Sequence, residues 1–477
     1  LASAHIQIST TNDCALDQTR SCASLTIDSG ATLIGGGFTL NVTSEGDAAS
    51  GTEDFAVKND GIISAASTLS LNITTPTSTS GDFGGSSGKF HDVTVNHASC
   101  ILNLESTTQF TGTLTITLGK IVCGGNTVEI SEHTEIGPAS GVADQATLQC
   151  DASAMFLGSG ITNQYGLIIN QGGTFTGGSG NHTLGGLKVG DNSNAKCTLT
   201  SANTTIDGEH ASDNYNVIVY DGATFDNADG TIILTGPTSI FYMQSSATVG
   251  AGEPRAHNLT VNSAGNTFDL GHNLTVEGNL TITAGTIDTT ALSNRALTVA
   301  ETTQIGTNGT LTCNASTCQF GATSYTAGKG LDCVGSSPGA TFNGGTGTHT
   351  YSSIVLAADS NVDFTPTTGL ATITAESNAN IAFYMANGTV VGGGTYNLII
   401  ATPTDTAGNL LSDTTFNTVT FTPSSGTPTH QLHGDGLKCT NLTINANATV
   451  DTTSGTNGPI VVSGATDVAG TLTLNGS

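Results

Sequence analysis

The sequence predicts an all-β fold, an elongated parallel β-helix (β-solenoid) with about 20–25 residues per coil. Three observations predict it. The chain repeats itself at a long fixed offset, its apolar residues alternate with polar ones in short pulses, and Gly, Asn or Asp punctuates those pulses. Gly112 to Gly119 reads GTLTITLG, and 166 residues later Gly278 to Gly285 reads GNLTITAG. His91 to Asn96 (HDVTVN) and His257 to Asn262 (HNLTVN) keep that offset, and Gly173 to Thr183 (GTFTGGSGNHT) is echoed at Ala340 to Thr350 (ATFNGGTGTHT), 167 residues on. Self-similarity at a fixed period is the signature of a stacked-repeat architecture.

Leu25-Thr26-Ile27-Asp28, Leu259-Thr260-Val261-Asn262, Leu280-Thr281-Ile282-Thr283 and Leu442-Thr443-Ile444-Asn445 each alternate apolar and polar residues. That period of two belongs to half-buried strands. A Gly-rich turn leads into such a strand at Phe83 to Val95, Val249 to Val261 and Val391 to Ile400. Gly and Asn suit coil corners because they tolerate positive φ. Coils of this length stack strands about 4.8 Å apart, and the chain would hold about twenty of them. The division expected is an N-terminal β-repeat region over 1–82, large repeats over 83–248 and 249–427, and a partial third repeat over 428–477. The last is marked by Thr449 to Thr453 and by GTLTLN at Gly470 to Asn475, which match Thr286 to Thr290 and GTLTCN at Gly309 to Asn314. The alternative architecture is a string of tandem β-sandwich domains. It fits less well, because aromatic residues are 5% of the chain and there is no Trp.

Composition narrows function. Ten Lys and Arg stand against 37 Asp and Glu, a formal charge of −27. A nucleic-acid binder needs a basic face to displace phosphate counterions, so nucleic acid is excluded as a partner. No apolar run is long enough for a membrane span. The acidity reads either as solubility in a salty or extracellular medium or as divalent-cation binding. The candidate cation cluster is Asp221, Asp226 and Asp229, an oxygen-rich turn of the kind that can hold Ca²⁺, although its spacing is not that of an EF-hand. No other cofactor is expected. Leu1 in place of Met, the small residues Ala2-Ser3-Ala4 and a C-terminus that falls within a repeat read as a processed or trimmed piece of a longer protein.

The ten cysteines are even in number, with Cys14 near Cys22 and Cys313 near Cys318. These four are disulfide candidates; the other reading is free thiols packed as small hydrophobes. His182 and His349 occupy equivalent repeat positions, as do His91 and His257, which reads as a turn or packing role, with a repeated metal or glycan contact as the alternative, rather than catalysis. Only three Arg and seven scattered Lys are present, and no Asp pair sits beside a His and a basic residue. No catalytic residue is therefore expected, and G-x-S-x-G, Walker and H-E-x-x-H motifs are absent from the sequence. Asn-x-Ser/Thr occurs at Asn41, Asn72, Asn181, Asn203, Asn258, Asn273, Asn279, Asn308, Asn314, Asn387, Asn441, Asn447 and Asn475. These are candidate glycosylation sites.

The pulses GTLTITLG, GNLTITAGTIDTT and VAGTLTLNGS resemble those of extracellular β-strand-repeat proteins: surface adhesins, filament and sheath subunits, and phage fibres. The resemblance implies a parallel β-helix on a cell or virion surface that does structural or adhesive work. The expected function is a non-catalytic structural subunit of an extracellular filament, sheath or surface layer, self-associating through solenoid ends or edges. The alternatives are an adhesin or virion tail fibre that binds surface glycans, and a polysaccharide depolymerase.

Overall fold

The computed structural model describes the chain apart from residues 1–3, 10–12, 45–54, 65–68, 75–80, 85–88, 138–144, 162, 191–193, 221, 244–254, 291–292, 323–329, 336–338, 357–361, 376–381, 386–388, 391–395, 402–414, 424, 433–435, 454–457 and 475–477. Among the described residues the regular elements are strands and there is no helix. Strand pairs run parallel; the isolated bridge His210–Tyr215 is antiparallel. The alternative of tandem sandwiches, which are assembled from antiparallel strands, is thereby set aside. The fold is a parallel β-solenoid of about 16 turns with roughly 23 residues per coil. That is fewer coils than the expected twenty. Thr134 pairs with Leu167 and Leu187 with Val217, steps well above the mean coil.

The chain divides into two compact units, Leu1–Pro237 with Tyr242–Pro254, and Thr238–Phe241 with Arg255–Ser477. In the first unit each coil supplies three short strands to three parallel ladders. One ladder runs through Ala146–Gln149, Gly173–Thr176, Lys196–Thr198 and Thr224–Asp226. Its inward residues Leu148, Phe175, Cys197 and Phe225 are register partners in turn, and all are buried. A second ladder stacks Ile136, Ile169, Val189 and Val219, and a third stacks Leu157, Leu184 and Ile206. The second unit repeats the scheme with Ile287, Leu311, Phe342 and Phe364 in one ladder and Val299, Phe320, Tyr351, Ile373 and Ile400 in another. Aromatic residues are few, but they are spent on this interior: eleven phenylalanines and Tyr351 are the largest fully buried side chains. Each large apolar side chain buried this way contributes about 1.5–3 kcal/mol.

The 166-residue repeat is structural as well as sequential. The 13-residue strands Asp92–Leu104 and Asn258–Leu270 each pair with a 9-residue strand, Leu114–Val122 and Leu280–Asp288. Register breaks at the same place in both, after Val95 and after Val261. There the strands turn a corner without ending. The corners are made by Gly119 and Gly285, with φ of 101° and 95°.

A Cβ on Gly285 would collide with the carbonyl oxygen of Ser263, whereas one on Gly265, also at positive φ, would meet nothing within 4 Å. Both Gly→Ala changes incur left-handed strain of about 1 kcal/mol. Gly285→Ala adds a clash with backbone that cannot yield, so it should lower unfolding free energy by about 1–3 kcal/mol more than Gly265→Ala. Urea denaturation of the two variants checks this.

Candidate functional site

The sequence-predicted residues fall into three settings. The acidic turn is self-contained: Asp226 Oδ1 accepts the Ala228 N–H at 2.8 Å, and the buried Asn227 Nδ2 donates to the Gly230 carbonyl at 3.1 Å. Asp229 is exposed beside it, and Asp221 lies outside the described residues.

The sequon asparagines divide into two groups. Asn181, Asn258, Asn273, Asn279 and Asn441 each accept, through Oδ1, a backbone N–H from the next coil: those of Asn203, Asn279, Ala296, Thr302 and Ala465, at 2.8–3.3 Å. Asn72 Nδ2 donates to Asn41 Oδ1 at 2.9 Å across neighbouring coils, and Asn279 Nδ2 to Glu301 Oε2 at 3.0 Å. In these the Asn-x-Thr spacing, N-L-T at Asn258, Asn273, Asn279 and Asn441, reports a device that ties one coil to the next. Asn308, Asn314 and Asn447 are instead exposed turn residues in the left-handed region, with φ of 64°, 44° and 70°. Asn203 is exposed at a strand start, and Asn387 and Asn475 lie outside the described residues.

The disulfide expectation is corrected. All ten cysteines are free thiols, nine of them buried and Cys14 half-buried. Cys22 is an inward strand residue, and burial raises its thiol to about 11. Burial likewise pushes the thiols of Cys150, Cys197 and Cys333 upward. These are small core hydrophobes in the sense of the second sequence reading.

Cys313 and Cys318 are different. Cys313 follows the strand Gly309–Thr312, and a turn closed by the Ser316 N–H donating to the Cys313 carbonyl brings the chain to Cys318, first residue of the strand Cys318–Phe320. Cys318 is the register partner of His349 on the next coil. A ring nitrogen of His349 and the two sulfurs lie within 4.8 Å of one another, and all three residues are buried. His349 Nδ1 is 2.9 Å from the Tyr351 hydroxyl, while Nε2 is buried without a hydrogen bond of good geometry. Phe320 and Phe342 meet the imidazole edge-on at 6.0 and 6.1 Å. The hydrogen bond between the two thiols favours ionisation of Cys318, against its burial and aided by His349; burial and the same contact push Cys313 the other way.

His182 and His349 both lie at strand starts in the interior. The convergence of His349 with two thiols was not expected. The C-x4-C spacing was visible, but the step from Cys318 to His349 depends on inter-coil register. Among the described residues no helix is long and apolar enough to cross a membrane. Comparison with family models, curated proteins and solved structures finds no match to this chain.

Two outcomes follow from this geometry. Asp92 occupies the repeat position of Asn258 and accepts the Thr113 N–H at 2.9 Å in the same way. Asn258→Asp should therefore stay within about 0.5 kcal/mol of the parent, while Asn258→Leu strands a backbone donor and should cost about 1–2 kcal/mol; chemical denaturation distinguishes them. Burial also drives the His182 and His430 rings down to about 4 from 6.5. Between those values the unfolded chain binds more protons than the folded one. Stability is intact above about pH 6.5 and is lost as pH falls to about 4, by up to about 3 kcal/mol for each ring. His182→Leu should flatten that fall by about this amount in denaturation midpoints compared at pH 7 and pH 4.

Proposed function

We propose that the protein is a non-catalytic structural subunit of an extracellular filament, sheath or surface layer, and that it self-associates by adding coil to coil. The observation that carries this reading is the parallel stacking itself: each coil is a template for the next, and inward apolar side chains are covered by the layer beyond them. Among the described residues, strands Ile460–Val462, Thr466–Val468 and Thr471–Thr473 pair with Leu437–Ile444 and Thr449–Asp451, and there Val461 is 51% exposed and Val468 is 42% exposed. That layer is one onto which a further coil would stack, and the proposal assigns that coil to a second copy of the chain. The exterior supports a mechanical rather than a chemical role. The chain has only 10% charged residues, and among the described residues ion pairs are few, such as Arg20–Asp17 and Arg255–Glu277 at 2.7 and 2.6 Å.

The test is assembly of the purified chain. Light scattering and negative-stain electron microscopy should show filaments that lengthen with concentration. Val461→Lys with Val468→Lys should raise the concentration needed for growth at least tenfold while leaving the thermal midpoint within a few degrees. A parent chain that stays monodisperse at high concentration overturns the reading.

A further inference from the structure

We propose that Cys313, Cys318 and His349 form a buried site for one soft metal ion, monovalent copper, bound through two sulfurs and one imidazole nitrogen. The argument begins with placement. The three donors come from two successive coils, held in register by the pairing of Cys318–Phe320 with His349–Tyr351. Their ligand atoms already converge within 4.8 Å. A buried imidazole nitrogen without a partner is costly, and His349 Nε2 is such an atom. In the ligating tautomer Nδ1–H donates to the Tyr351 oxygen at 2.9 Å, and Nε2 keeps its lone pair. Tyr351 is itself fully buried, so its hydroxyl is a fixed orienting group.

The donor set selects the ion. No carboxylate belongs to the trio, which removes Ca²⁺ and Mg²⁺, the cations of oxygen sites. Thiolate and imidazole select soft or borderline metals. Structural Zn²⁺ sites use four protein ligands, and here there are three, walled by Phe320 and Phe342. Monovalent copper accepts three ligands. Binding then replaces the S–H bonds of Cys313 and Cys318 with Cu–S bonds and releases two protons, with no change of oxidation state.

The other repeat offers an internal comparison. Met155 stands opposite His182 as Cys318 stands opposite His349, and Cys150 precedes Met155 as Cys313 precedes Cys318. Two sulfurs and an imidazole therefore recur at corresponding positions, with a thioether in place of one thiol. Among the described residues, the two thiols converge with a histidine in the second unit alone, so the higher affinity is assigned there.

The experiment uses the full chain, reduced and held without oxygen, titrated with Cu⁺ against the chromophoric chelator bicinchoninate. One equivalent should be withdrawn from the chelator. X-ray absorption at the copper edge should show two sulfurs and one nitrogen in three-fold coordination. Cys318→Ala and His349→Gln should each weaken that equivalent at least tenfold, while Cys22→Ala and Cys439→Ala leave it unchanged. Far-UV circular dichroism of the metal-free variants reports folding, and the ligand count of the parent chain stands independently of any variant. The proposal is overturned by a sulfur-only shell, by undiminished binding in His349→Gln, by a preference for Zn²⁺ over Cu⁺, or by a Cys313–Cys318 disulfide in protein isolated without reductant.

Discussion

Everything in this molecule depends on parallel strands stacking in register, coil on coil. Each backbone N–H and C=O along a ladder is satisfied by the coil before or after it, so no helix or turn network is needed to neutralise the main chain. The same constraint dictates the interior. A side chain that points inward lies on its counterparts one coil away, as Leu148, Phe175, Cys197 and Phe225 do. Small residues are tolerated where a neighbour is large. Stacking along the ladder lets a chain with few aromatics fill a core, because each Phe serves two neighbouring coils rather than one deep centre; Phe342, for example, lies 5.7 Å from Phe320 and 5.3 Å from Phe364.

What the sequence discloses is set by what is local. Alternation at Leu259-Thr260-Val261 or Leu442-Thr443-Ile444 fixes a strand and its inward face without reference to anything distant, and both segments are strands with those apolar residues buried. The long repeat is legible for the same reason, since Asp92–Leu104 and Asn258–Leu270 carry their corner with them. Register between coils is not local. It shifts with each excursion between strands, so the partnership of Cys318 with His349 could not be read from spacing. The cysteines were judged by their proximity along the chain, and that measure is misleading in a solenoid. Cys14 and Cys22 lie on strands of different ladders, while residues a full coil apart touch.

The two units show how far interior chemistry can drift on an unchanged scaffold. Position by position, Cys123, Met155 and Leu184 of the first correspond to Thr289, Cys318 and Tyr351 of the second, while Cys150 and His182 keep their identities as Cys313 and His349. Thr289 cannot pack as a thiol does, and its hydroxyl is satisfied by Ser316 Oγ at 2.7 Å and by the Cys313 carbonyl at 2.9 Å. A polar group has entered the core together with its partners, as burial requires. Ladders permit this because a substitution disturbs only the coils on either side.

Stacking also explains the shortage of charge. An ionised side chain on one coil places its counterpart on the next within about 5 Å if the residue type recurs, and like charges at that distance repel by about 1 kcal/mol even in water. Asp269 and Asp288 are register partners of this kind, and burial followed by the neighbouring Asp288 charge raises the Asp269 carboxyl above its ordinary range. A neutral amide in such a ladder donates to its own kind instead: Asn72 to Asn41 at 2.9 Å and Asn417 to Asn397 at 3.0 Å. Repetition therefore turns a charged residue into a liability and an asparagine into a link. A chain with 10% charged residues, rich in Asn and Thr, is what in-register stacking favours on its outer face. Its net charge of −27 is better borne where ladders are interrupted, as at Asp229 in the turn that follows Thr224–Asp226.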